Sequence, residues 1–88
     1  MTVHAPITPP LTLDRLPPRA RGEVAGVDWD QMTPLEARRL REFGLDEGVD
    51  VELLQRAGLA GGPLACRIGR MTITFRRHIA RAIHVTTR

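Results

Sequence analysis

The stretch LACRIGRMTITF, residues 64–75, decides the fold. Apolar residues alternate with other residues at every second position, stop at Gly69-Arg70 and then alternate again. Side chains of a strand point alternately to its two faces, so this period of two indicates two strands with one face each on a core. A glycine at the first turn position fits the two-residue turns whose twist matches paired strands. We therefore predict a hairpin with these side chains facing inward: Leu64, Cys66, Ile68, Met71, Ile73 and Phe75.

A helix is predicted between Thr33 and Gly44. Thr33 and Glu36 have the spacing of a capping box, in which each side chain accepts a hydrogen bond from the backbone of the other residue. Pro34 suits the first helical position, and Gly44 can adopt the left-handed conformation that ends helices. The helical period predicts that Leu35, Leu40 and Phe43 are buried and that Arg38, Arg41 and Glu42 are exposed.

Shorter signals complete the predicted fold. Residues 21–27 and 49–53 alternate as strands, residues 76–81 fit a short helical turn, and residues 83–85 fit a last strand. Residues 1–10, with three prolines, form an extended arm outside a single domain at 11–88. Short, regularly spaced strands with one helix predict a mainly β fold, a small partly open barrel of about five strands with one inserted short α-helix.

Length and composition exclude several classes of protein. The chain of 88 residues is long enough for one core, and 42% apolar content is typical of a globular domain. No stretch approaches the roughly 20 apolar residues of a membrane span, so we expect a soluble protein. The lone Cys66 cannot form an internal disulfide, which favours a reducing compartment. Two phenylalanines, one tryptophan and no tyrosine leave few stacking platforms for single-stranded nucleic acid.

Charge is distributed unevenly along the chain. Residues 1–50 hold six arginines against nine acidic residues, whereas residues 51–88 hold seven arginines against Glu52 alone. Such a basic half could meet nucleic acid, anionic lipid headgroups or an acidic protein surface. A solvated sheet face explains the same charges equally well.

Residues suited to catalysis or metal binding are few and scattered. His4, His78, His84 and Cys66 lack the close spacing of a zinc site, although the histidines at 78 and 84 could meet across a turn. Cys66 alternates with apolar residues and is expected in the core. The glycine-rich residues 58–63 lack the lysine and helix of a phosphate-binding loop. We therefore expect no enzyme activity, no cofactor and no bound metal.

Three segments together resemble the FeoA family, small cytoplasmic accessory proteins of the bacterial ferrous iron transporter FeoB. Residues 13–16 with 21–24 resemble the opening leucines and first strand of the family. Residues 38–51, RRLREFGLDEGVDV, are similar to its arginine-rich helix, its glycine-leucine stop and the glycine before the next strand. Residues 64–77 and 82–85 are similar to its closing hairpin, double arginine and final strand. The sequence departs from the family at residues 17–19, 57–59 and 78–79, where loop surfaces would differ.

The resemblance implies an SH3-like barrel without catalysis or iron of its own, acting as an adaptor on the cytoplasmic GTPase region of FeoB. The protein would be cytoplasmic, reaching the inner membrane only through its partner, without inserting into it. The expected partner-binding residues are Arg38, Arg39, Arg41, Glu42, Arg67, Arg70, Arg76 and Arg77. Solvated helix charge is the competing explanation for each residue of the helix.

Two other functions stay open at this point. Similar domains form the C-terminal part of iron-dependent repressors, so the chain could be a regulatory module that acts in trans. Basic residues at 67, 70, 76, 77 and 81 could instead bind nucleic acid, in which case binding would weaken steeply with salt. We rank nucleic acid last and expect no stable complex with it. Short sheet edges also leave room for a weak homo-oligomer.

Overall fold

The computed structural model describes residues 11–56 and 62–87. The predicted arm at 1–10 and most of the glycine-rich loop lie outside the described residues. The elements are six strands and two α-helices, with single 3₁₀ turns at Leu13–Arg15 and Trp29–Gln31. The strands are β1 (Leu11–Thr12), β2 (Arg21–Val27), β3 (Asp50–Arg56), β4 (Leu64–Ile68), β5 (Met71–Phe75) and β6 (Ile83–Thr87), and the helices are α1 (Pro34–Glu42) and α2 (Arg77–Arg81).

The strands form one antiparallel sheet in the order β1-β6-β2-β3-β4-β5. The order is linear, so β1 and β5 are its two edges and the barrel is unclosed. This confirms the predicted mainly β, partly open fold with α1 inserted between β2 and β3. The two-residue β1 is the strand that the count of about five omitted.

The core contains the inward-facing side chains of this sheet. It includes the inward residues of β4, Leu64, Cys66 and Ile68, each at most 1% exposed, and Phe75 of β5. Ile73 is half-buried against the same cluster. The predicted hairpin is thus confirmed, except that Met71 is 41% exposed. Met71 lies beside the turn on the edge strand β5, opposite Ile68.

α1 begins and ends at the residues that the sequence predicted. The Thr33 N–H donates to Glu36 Oε1 at 2.9 Å, and the Glu36 N–H donates to Thr33 Oγ1 at 3.1 Å, which forms the complete capping box. At the other end Gly44 takes φ +92°, and the Leu45 N–H donates to the Leu40 carbonyl at 3.0 Å. This is the Schellman arrangement, in which the second residue after the cap packs on the last turn of the helix.

The predicted buried face of α1 is wrong at two of its three residues. Leu40 is buried, but Leu35 is 56% exposed and Phe43 is 39% exposed. The buried helical residues are Ala37 and Leu40. The Schellman turn brings Leu45 into the core beside Leu40, at 2% exposure, so it fills the space that Phe43 was expected to occupy.

Candidate partner-binding surface

The outward side of α1 carries a mixed apolar and basic stripe. Leu35, Arg39 and Phe43 are spaced four residues apart, so they follow one another along one side of the helix. All three are exposed, together with Arg38 and Glu42. Leu35 is 56% exposed and Phe43 is 39% exposed, so this stripe leaves apolar area available to a partner.

Arg41 lies beside the stripe and stacks on Trp29. Its guanidinium carbon is 4.3 Å from the centroid of the indole ring, a cation–π contact. Trp29 itself packs partly against the core. The two side chains line an open depression together with Gly44, Leu45 and Asp46, which follow the end of α1. Arg41 is therefore held in place while its charge stays accessible.

α1 is also tied to α2 by a side-chain contact. His78 Nε2 lies 2.9 Å from Glu36 Oε2, while the other carboxylate oxygen caps the helix. The hydrogen bond from the Thr33 backbone, followed by the contact with His78, lowers the pKa of Glu36. One carboxylate thus caps the start of α1 and contacts a side chain of α2.

The other predicted contact residues lie away from α1 and fall into two kinds. Arg67 Nη1 is 3.2 Å from Glu52 Oε1, and Arg77 Nη1 is 4.0 Å from Asp14 Oδ2. Arg70, in the β4–β5 turn, and Arg76, the residue before α2, are exposed and in no ion pair among the described residues. The structure gathers Arg38, Arg39, Arg41 and Glu42 on one helix and leaves the other four separate.

Two acidic residues form ion pairs with three arginines of the basic second half. Glu52 faces Arg21 on one neighbouring strand and Arg67 on the other, in a single row across the sheet. Asp14, only 8% exposed, contacts both Arg77 and Arg81. These arginines therefore form internal ion pairs, an arrangement that the charge count along the chain could not reveal.

The histidines and the cysteine lie in surroundings that do not favour metal binding or catalysis. His84 Nε2 is 2.7 Å from Asp28 Oδ2, so the two histidines pair with separate carboxylates instead of meeting. Burial raises the pKa of the Cys66 thiol to about 12, which leaves it a poor nucleophile at neutral pH. In residues 11–56 and 62–87 there is no group of three or more histidine, cysteine or carboxylate side chains placed to hold a metal ion.

No helix in the described part of the chain is both long enough and apolar enough to cross a bilayer.

Comparison with known families assigns the chain. The model of the FeoA domain matches residues 11–87, which takes in every described strand and helix. The chain belongs to the FeoA domain family. The family is associated with ferrous iron transport and is not a known family of enzymes. The predicted resemblance is confirmed.

Solved FeoA structures share this fold. The FeoA protein of Chlorobium tepidum is 32% identical, with a TM-score of 0.76 over 88% of this chain and 70% of that one. FeoA of Stenotrophomonas maltophilia, solved in complex with zinc, is 29% identical, with a TM-score of 0.73 over 86% of this chain and 89% of that one. It is described as a prokaryotic SH3 domain protein and a candidate activating factor of ferrous iron transport. The SH3-like fold expected from the sequence is thereby confirmed.

A manganese-dependent transcriptional repressor shares the same fold. It has a TM-score of 0.76 at 23% identity, over 92% of this chain and 44% of the repressor. At that identity the similarity concerns the fold alone.

No curated protein matches the sequence significantly.

Proposed function

We propose that this FeoA-family protein is a non-enzymatic accessory protein of bacterial ferrous iron uptake and binds the cytoplasmic GTPase region of the FeoB transporter through α1. It works in the cytoplasm, without a cofactor, and meets the inner membrane only through this partner. The observation that carries the proposal is the stripe of Leu35, Arg39 and Phe43 on a helix of a FeoA domain.

The stripe supports binding through apolar burial at its two ends. Covering an exposed leucine or phenylalanine contributes on the order of 1 kcal/mol each at the usual value per unit of apolar area. Buried aromatic and arginine side chains are also the residues that most often dominate protein interfaces. Leu35, Arg39 and Phe43 provide both kinds within one helical face.

The caps and the buried anchor of α1 support binding as well. The helix is capped at both ends, linked to α2 through Glu36 and His78, and anchored underneath by Leu40. A surface that is ordered before binding loses less conformational entropy in the complex. Arg41 is likewise oriented beforehand by Trp29.

The charges on α1 predict the chemistry of the partner surface. Arg38 and Arg39 are exposed and in no ion pair among the described residues, so they are available to carboxylates. An acidic surface on the transporter would accelerate association, and the rate would fall as salt screens the charges. A neutral or basic surface would not show this dependence.

Calorimetric titration of the protein into the purified cytoplasmic domain of its cognate FeoB tests the proposal. We expect binding that Leu35→Ser and Arg39→Gln weaken and that Leu35→Met retains. Arg15→Gln is the matched control, because Arg15 is an exposed arginine remote in sequence from α1. Absence of binding at high micromolar concentration and low salt, or equal loss in Arg15→Gln, would overturn the proposal.

A further inference from the structure

In the part of the chain that the structure describes, the edge strand β5 has a neighbouring strand on one side only. It pairs with β4 through a continuous register from Ile68 opposite Met71 to Leu64 opposite Phe75. No strand in residues 11–56 or 62–87 pairs with its other side. An edge of this kind presents unpaired backbone donors and acceptors that can pair with another chain.

The hairpin register identifies which backbone groups face outward. In a two-residue hairpin the residues that flank the turn, here Ile68 and Met71, exchange backbone hydrogen bonds, and every second pair does so from there on. Thr72 and Thr74 fall between the bonded pairs, so their N–H and C=O groups point away from β4. No backbone hydrogen bond to another described element uses them.

The strand β5 itself carries none of the sequence features that usually protect a sheet edge. Proteins commonly protect edges with very short strands, charged residues, prolines or bulges. The opposite edge, β1, is two residues long. β5 has five residues, MTITF, without charge or proline, and its register with β4 has no shift. An added strand would also cover Met71, which is 41% exposed, and the half-buried Ile73.

Positive charge stands at both ends of this uncharged edge. Arg70 precedes β5 in the turn and Arg76 follows it directly. Both are exposed and in no ion pair among the described residues, in contrast to Arg67 on the adjacent strand. An occupant therefore needs an uncharged centre of about five residues with acidic residues at both ends.

A second copy of the chain does not meet this requirement. Its own β5 is flanked by Arg70 and Arg76 and not by acidic residues, and the register centred on Ile73, which would pair all five residues, sets Arg70 opposite Arg76 of the other copy. Like charges directly opposite one another destabilise paired strands. We therefore propose that the β5 edge is a second binding site, which adds an extended peptide segment with acidic ends to the sheet. This site is independent of α1 and of the identity of the transporter as partner.

Peptide titration followed by NMR tests the site on the whole protein. The probe has five alternating threonines and valines between pairs of aspartates, and a matched peptide has lysines in place of the aspartates. With the acidic probe at up to about 1 mM we expect amide shifts confined to β4 and β5 and slowed exchange of the Thr72 and Thr74 amides. The lysine peptide should bind at least about tenfold more weakly, since two charge pairs at each end reverse sign.

Removing backbone N–H groups distinguishes strand addition from binding by charge attraction alone. Thr74→Pro removes one outward N–H, and proline is tolerated on the free side of an edge strand. It should abolish binding, whereas Thr74→Val, which keeps the N–H, should not. The same acidic peptide N-methylated on alternate residues gives an independent test that leaves the protein unchanged. Equal binding of the methylated peptide, shifts centred outside β5, or a β5-linked dimer in sedimentation would overturn the proposal.

Discussion

α1 and the β5 edge both present arginines to solvent, but they are held in different ways. α1 is capped at both ends, anchored by Leu40 and in contact with α2, so what it leaves available to a partner is exposed side-chain surface. Among the described residues β5 pairs with β4 only, so what it leaves available to a partner is backbone hydrogen-bonding groups. The first suits a folded partner with its own surface, and the second suits an extended segment.

The arginines in ion pairs show that positive charge alone does not identify a binding residue. Arg67 and Arg77 are as basic as Arg39, yet they lie against Glu52 and Asp14. An arginine in this chain is a candidate contact where its surroundings also leave apolar area or backbone groups uncovered.

The largest expected effect concerns the anchor of α1. Leu40→Ala should lower the free energy of unfolding by about 2–4 kcal/mol, because it leaves a cavity under the helix. Leu35→Ala on the same helix should cost less than about 0.5 kcal/mol, since its side chain is exposed. Urea denaturation of both variants measures the difference, and equal losses would show that the two faces of α1 are misassigned.

The helix cap has the next largest effect. Thr33→Ala should cost about 1 kcal/mol, because the Glu36 N–H loses its acceptor, while Thr33→Ser should retain most of the stability. The same denaturation experiment measures both. If serine did not rescue the loss, the threonine would act through packing instead of capping.

Binding should separate exposed from paired arginines. Arg39→Gln should weaken the complex with the transporter domain by about two- to fivefold, the range of a single solvent-exposed ion pair. Arg67→Gln should change it less, since Arg67 already contacts Glu52. Titration calorimetry of the two variants at one salt concentration provides the comparison. A larger effect of Arg67 would move the contact from α1 to the sheet.

The smallest effect is a pH dependence from Glu36. Its pKa is lower in the folded protein than in the unfolded chain, chiefly because the carboxylate accepts the Thr33 N–H. The unfolded chain therefore binds the proton more readily, so this stabilisation is present above the ordinary glutamate pKa and is lost as pH falls through the lowered one. Denaturation at a series of acidic pH values should show this loss, and Glu36→Gln should remove it. An unchanged pH profile in that variant would exclude Glu36 as the source.

Local patterns predicted most of the fold. The alternation at 64–75, the capping box at 33–36 and the Gly44 stop are each decided within a few residues, and each is present. The buried face of α1 depends on the turn that follows it. Because Leu45 folds back onto Leu40, Phe43 is displaced outward, and helical periodicity within 34–43 could not indicate this.

The candidate site was predictable only in part. The basic residues of α1 were identifiable from sequence, but the pairing of Arg77 with Asp14 joins residues far apart in the chain. The stacking of Arg41 on Trp29 likewise joins residues that only the folded chain brings together. A lone tryptophan before the capped helix was the available signal for it. The position of β5 at the edge is known only from the strand order, since the pattern MTITF is compatible with an edge strand and with a central strand.

The most direct test maps the surface that meets the transporter. Unlabelled cytoplasmic domain of FeoB is added to the isotope-labelled protein, and amide shifts and line broadening are followed residue by residue. We predict that the changes centre on α1 and the Trp29 indole, and that Leu35→Ser suppresses them. Changes confined to β5 or to the outer face of β3, with α1 undisturbed, would contradict the assignment of α1 as the contact.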